Sequence, residues 1–126
     1  MADRINAQVT LSPLVFAILK TKQPIQSAFA NIIDLDNVTV IIEQSKYAAN
    51  GDVTGAILDW KLFTLGPASL PEAGKIIAKV TSAMAAFGVA AVPIAAFDRE
   101  HFLIKKSNLA AAITRFETLG LKVIKL

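Results

Sequence analysis

Asp98, Glu100 and His101 lie close enough in the sequence to suggest chemistry. Two carboxylates can serve as general acid and base, and an imidazole can carry a proton or sense pH. Asp98 and Glu100 point the same way only if the chain between them is fully extended. The rest of a catalytic constellation is missing. His101 is the only histidine and there is no cysteine. That excludes thiol chemistry, disulfides, Cys-ligated zinc, iron–sulfur clusters and multi-His metal sites. One imidazole beside two turn carboxylates makes a poor metal site, so no metal is expected. No G-x-S-x-G, P-loop or dinucleotide-binding motif occurs. Ser107 is better used as a helix cap than as a nucleophile. No cofactor is expected, and the chain reads as non-catalytic. The commonest use of Asp98-Arg99-Glu100 is a solvated hairpin turn; that of His101 is a polar strand residue.

These residues need a scaffold, and the C-terminal half predicts one. Leu58–Leu65 reads as a strand, with Trp60, Phe63 and Leu65 among its bulky residues, broken by Gly66-Pro67. Ser69-Leu70-Pro71-Glu72 is a helix start: Ser69 caps, Pro71 sits in the first turn, and Glu72 completes a capping box. Ala73, Ile77, Val80, Met84 and Phe87 then keep one helix face apolar, and Gly88 ends the helix. Val89–Phe97 predicts a second strand, whose Pro93 favours a sheet edge. After the turn, His101–Lys105 predicts a third strand, with Phe102 and Ile104 on one face and His101 and Leu103 on the other. Leu109, Ala112, Ile113, Phe116 and Leu119 form a second helical stripe, closed by Gly120, and Leu121–Leu126 is a last strand. The order is βαββαβ, the α+β ferredoxin-like arrangement, with both helices on one sheet face and the other face bare. Its second strand lies at an edge, which agrees with Pro93.

The N-terminal half predicts less. Leu14–Leu19 and Asn37–Glu43 read as strands, Pro24–Ala30 as a short helix, and Ser45–Asn50 as one helical turn before the turn-rich Gly51–Gly55. About 55 residues without disulfide or metal are marginal alone. The expectation is therefore a shortened N-terminal lobe, residues 1–55, sharing a sheet or core with residues 56–126.

Composition bounds the function. The chain has 126 residues, 54% hydrophobic and 18% charged, with mean hydropathy +0.53. A disordered chain would be charge-rich and poor in apolar residues. A membrane helix needs about 20 mostly apolar residues in a row, and the longest candidate, Val80–Phe97, is interrupted by Gly88 and Pro93. The N-terminus lacks the basic start and apolar run of a signal peptide. No membrane association is expected, and a cytoplasmic location is the default. The net charge is +3. Basic residues are dispersed and mostly lysine, unlike the arginine stripes with interleaved aromatics of nucleic-acid binders, so no nucleic-acid partner is expected.

Several segments also carry a family resemblance: Trp60-Lys61-Leu62, Gly66-Pro67, Glu72-Ala73-Gly74-Lys75-Ile76-Ile77, Phe87-Gly88-Val89 and Ala96 to Ile104. Residues 58–126 resemble the ACT domain, a small ligand-binding regulatory module of ferredoxin-like fold. More narrowly, the chain resembles small proteins made of two ACT-like lobes, related to the amino-acid-sensing CASTOR-type pair; residues 9–45 match loosely. The hairpin departs at Glu100, where Asp is usual. The resemblance implies lobes that pair, a homodimer, and a small-molecule ligand, usually an amino acid, near the loop from first strand to first helix. Here that loop is Gly66–Gly74. Gly66, Ser69 and Gly74 would then face a carboxylate, which a helix N-terminus suits, and Asp98 or Glu100 an α-ammonium. An interaction domain of the same fold without ligand is the alternative.

Overall fold

The computed structural model describes residues 7–48, 51–67 and 70–126. Strands β1 (Gln8–Thr21), β2 (Ala30–Ile33), β3 (Val38–Glu43) and β4 (Val53–Leu65) are followed by helix α1 (Leu70–Ala85). Then come β5 (Ala91–Ala95), β6 (Glu100–Lys105), helix α2 (Leu109–Thr118) and β7 (Lys122–Lys125). The chain divides into two compact units: a larger one of Met1–Pro13 with Lys61–Leu126, and a smaller one of Leu14–Trp60. β1 and β4 each run from one unit into the other.

The larger unit has the expected order β4-α1-β5-β6-α2-β7. β5 pairs antiparallel with β6, Ala91 opposite Ile104 and Ala95 opposite Glu100. β5 is the last strand of the sheet, so Pro93 sits at an edge, where its missing N–H costs no ladder bond. β7 does not close the sheet beside β4. It pairs in parallel with the start of β1, Gln8 to Leu11 opposite Lys122 to Lys125. Val9 and Leu11 are buried, and their alternation is what draws this segment into the larger unit's core.

That core holds Val9, Leu11, Phe63, Leu65, Val80, Met84, Phe102, Ile104, Ala112 and Phe116 among others. Phe116 packs 4.8 Å from Phe63 and 6.0 Å from Phe102, centroid to centroid. Both helices end alike. Gly88 (φ 74°) and Gly120 (φ 91°) take left-handed backbone. The next N–H groups, of Val89 and Leu121, reach back to the carbonyls of Met84 and Phe116, each at 3.0 Å. This closure also buries Val89 and Leu121 against the helix end. Phe87, expected in the apolar stripe, lies beyond the helix and is exposed; the Arg115 guanidinium stacks 3.6 Å over its ring. The opposite sheet face is not bare as expected, because Leu62 and Leu103 on it are buried.

The smaller unit has strand order β4-β1-β3-β2. β1 and β3 are antiparallel from Phe16 opposite Glu43 to Thr21 opposite Val38, and β2 pairs antiparallel with β3. This is the ferredoxin-like order with both helical connections reduced. The helix expected at Pro24–Ala30 is absent. Instead a turn is held by the Asn31 side chain, which accepts from the Ile25 N–H and donates to its carbonyl, both at 2.9 Å. Among its described residues the second connection holds a 3-10 turn, Gln44–Lys46. Ala17, Leu19, Val38, Val40 and Ile42 form the core, with Ile25, Ala28, Tyr47 and Val53 packed on it.

β1 and β4 are longer than expected. Pro13 falls between the residues of β1 that pair with β7 and those that pair with β3, where a lost donor is tolerated. Within β4, Asp59 takes φ 68°. Gln44 holds it there, accepting from the Asp59 N–H at 2.7 Å and donating to Oδ1 at 3.0 Å.

Candidate functional site

The fold brings two of the sequence-predicted segments together. The turn after β4 meets the hairpin between β5 and β6: a Cβ placed on Gly66 would lie 2.9 Å from the Asp98 carbonyl oxygen and 3.2 Å from the Arg99 Cα. Gly66 also has φ 151°, and its bond to Pro67 is cis. Only a residue without a side chain fits this approach. The hairpin is closed by the Ala96 N–H donating to the Arg99 carbonyl at 2.9 Å.

Asp98 and Glu100 do not converge as an acid–base pair. Asp98 is exposed on the turn, with the Arg99 guanidinium 3.7 Å from its carboxylate. Glu100 begins β6 on the face of Phe102 and Ile104 and is fully buried. Among the described residues neither of its carboxyl oxygens has a hydrogen-bond partner. Burial raises its pKa above the usual carboxylate range, because desolvation penalises the charged form. Gly74 is exposed on α1 with open space around it. Ser69 lies outside the described residues.

His101 alternates to the other face, as its strand position predicts. Its Nδ1 lies 2.8 Å from the Thr64 Oγ1, and the Thr10 Oγ1 donates to the Thr64 carbonyl at 3.3 Å. Burial first, then the Arg99 charge, lowers the imidazole pKa. His101 is thus a neutral hydrogen-bonding strand residue at neutral pH.

Sequence reading missed Lys61. It is 8% exposed, and its pKa is lowered by burial and then by the charge of Lys106. In the sequence it is one lysine in a strand, and only its parity with Phe63 and Leu65 signals an inward position. Among the described residues no group of three or more acidic or histidine side chains could hold a metal. No helix there is long and apolar enough to cross a membrane.

A ferredoxin-like βαββαβ unit and a helix-depleted unit of the same strand order together define an ACT-like fold. The comparison with solved structures agrees. The chain is similar to Atu0741 from Agrobacterium tumefaciens, with TM-score 0.80 and 15% identity over 97% of this chain and 95% of that one. It is similar to the regulatory subunit of aspartate kinase from Thermus flavus, with TM-score 0.63 and 15% identity over 90% and 97% of the two chains. It is also similar to VC0802 from Vibrio cholerae, with TM-score 0.66 and 19% identity over 86% and 85%. At these identities the likeness establishes the fold. No protein-family model and no curated protein matches the sequence.

Proposed function

We propose that the chain is a non-catalytic regulatory module that binds a small molecule, an amino acid foremost, beside the turn formed by Gly66 and Asp98–Glu100. The observation that carries this reading is Glu100, a fully buried carboxyl with no hydrogen-bond partner among the described residues. Such a group costs stability unless something pairs with it. It sits one residue beyond the point where Gly66 closes on the hairpin, and a ligand ammonium would supply the missing donor. Asp98 is the exposed acid at the same turn. The likeness to the regulatory subunit of aspartate kinase supports a regulatory rather than a catalytic role. Thermal-shift measurement against the amino acids tests it. A rise in melting temperature with one or a few of them, abolished in Glu100→Gln, is expected; no shift with any at millimolar concentration counts against it.

A second reading, an assembly module that pairs with another copy of itself, has its own observation. Leu14, Phe29, Ile32, Ile33, Leu35, Ile57 and Leu58 of the smaller unit are all exposed. Ile32 pairs across from Thr39 and Ile33 across from Val38, so β2 exposes apolar side chains on both faces of an outer strand. Exposed apolar surface of this extent on a small domain marks an interaction site.

A further inference from the structure

The smaller unit carries a cavity of about 340 Å³, within the range of sites for small molecules. It opens on the sheet face opposite that unit's core. Ile18, Lys20, Asp34, Asn37, Thr39 and Gly55 all line it. Lys20 on β1 and Thr39 on β3 are cross-strand partners, so their side chains rise from the same face. Asp34 and Asn37 belong to the β2–β3 turn, closed by the Asp34 N–H donating to the Asn37 carbonyl at 2.9 Å. Gly55 lies beside Lys20, where a Cβ would sit 3.6 Å from the Lys20 Cβ; the missing side chain leaves the floor open.

The charges are arranged for a ligand bearing both signs. Among the described residues neither Lys20 nor Asp34 is in an ion pair. The Asp34 Oδ1 accepts the Leu35 N–H at 2.7 Å, which restrains the carboxylate at the cavity's edge. The lining thus combines a cation from β1, an anion from the turn, a hydroxyl at Thr39, an amide at Asn37 and an apolar side chain at Ile18.

We propose that this cavity is a second site, which takes a small zwitterion, a free α-amino acid with an aliphatic side chain. Lys20 meets its carboxylate, Asp34 its ammonium, and Ile18 its side chain. The inference rests on the preceding section for the class of ligand, and differs from it in place.

Calorimetric titration of the intact chain tests it, using aliphatic amino acids beside the carboxylic acid and the amine that each keep one of the two charges. The amino acids should bind and the single-charge analogues should bind at least about tenfold more weakly, each lost charge-assisted hydrogen bond accounting for that much. Lys20→Met and Asp34→Asn should weaken binding similarly. Gly55→Val should abolish it by filling the floor while leaving the melting temperature unchanged, since its Cβ contact is an ordinary one. Glu100→Gln should leave binding at this cavity intact. Binding that survives Gly55→Val and Lys20→Met but is lost in Glu100→Gln overturns this inference and leaves the proposed function standing. Equal binding of a single-charge analogue also overturns it. No binding of any amino acid to the unaltered chain overturns both.

Discussion

Gly66 and Glu100 show how much one position can demand. At Gly66 a methyl group meets a backbone carbonyl at 2.9 Å in a left-handed conformation, so neither rotation nor side-chain movement relieves the clash. Gly66→Ala should lower stability by about 1–3 kcal/mol, read by chemical denaturation, whereas Gly74→Ala, in open space within a helix, should raise it by about 0.4–1 kcal/mol. Glu100 gives a pH signature. Its pKa is raised in the folded state, so the folded chain holds that proton where the unfolded chain has released it. Stability from this group is present below the ordinary carboxylate pKa and is lost as pH rises through the raised value. Glu100→Gln should therefore unfold at a higher temperature than the parent at neutral pH, and the gap should close on acidification. A gap independent of pH would mean the carboxyl does not titrate as its burial requires. His101 has the opposite sign. Its folded pKa is lowered, so its contribution is full at neutral pH and falls as acid reaches the imidazole of the unfolded chain first.

Elements were legible where one local rule governs them. The stripe Ile77, Val80, Met84, the glycines 88 and 120, and Pro93 at an edge each follow from spacing or backbone chemistry that no distant contact overrides. β1 was not legible in that way. Its residues 8–11 serve β7 and its residues 16–21 serve β3, so Pro13 reads in sequence as a strand boundary when the chain continues straight through it. The short connections of the smaller unit fail for a related reason. Pro24–Ala30 has the length of a helix, but the Asn31 amide occupies the backbone groups of Ile25 that a helix would use. At the proposed site, Gly66, Asp98 and Glu100 stand out in sequence as turn residues and acids, and the fold brings the turn at Gly66 against the hairpin. The cavity with Lys20, Asp34 and Gly55 could not, since those residues come from two strands and a turn and share no motif. The double duty of β1 predicts a contrast: Leu11→Ala, in the larger unit's core, should cost about 2–5 kcal/mol. Leu14→Ala, three residues on and 42% exposed, should stay within about 0.5 kcal/mol. Equal losses in thermal denaturation would mean the start of β1 does not belong to that core.

For the molecule as a whole, the surplus of apolar residues that first raised the question of a membrane has a different destination. The larger unit buries its share beneath two helices. The smaller unit, which among its described residues has a 3-10 turn in place of helices, leaves Ile32, Ile33 and Leu35 at 50%, 73% and 97% exposure. These residues lie on or just beyond β2, the last strand on that side of the sheet. The two outer strands differ in protection. β5 carries Pro93, which blocks a further ladder, while β2, Ala-Asn-Ile-Ile, has neither proline nor lysine to discourage one. An unprotected edge flanked by exposed isoleucines favours pairing with an identical edge, a closed two-fold arrangement that needs no other partner. Light scattering should therefore give twice the chain mass, and Ile33→Lys with Leu35→Lys should return it to one chain mass without lowering the melting temperature of the larger unit. A monomer at high concentration in the unaltered chain would remove the edge-pairing reading and leave the exposed isoleucines to a partner of different sequence.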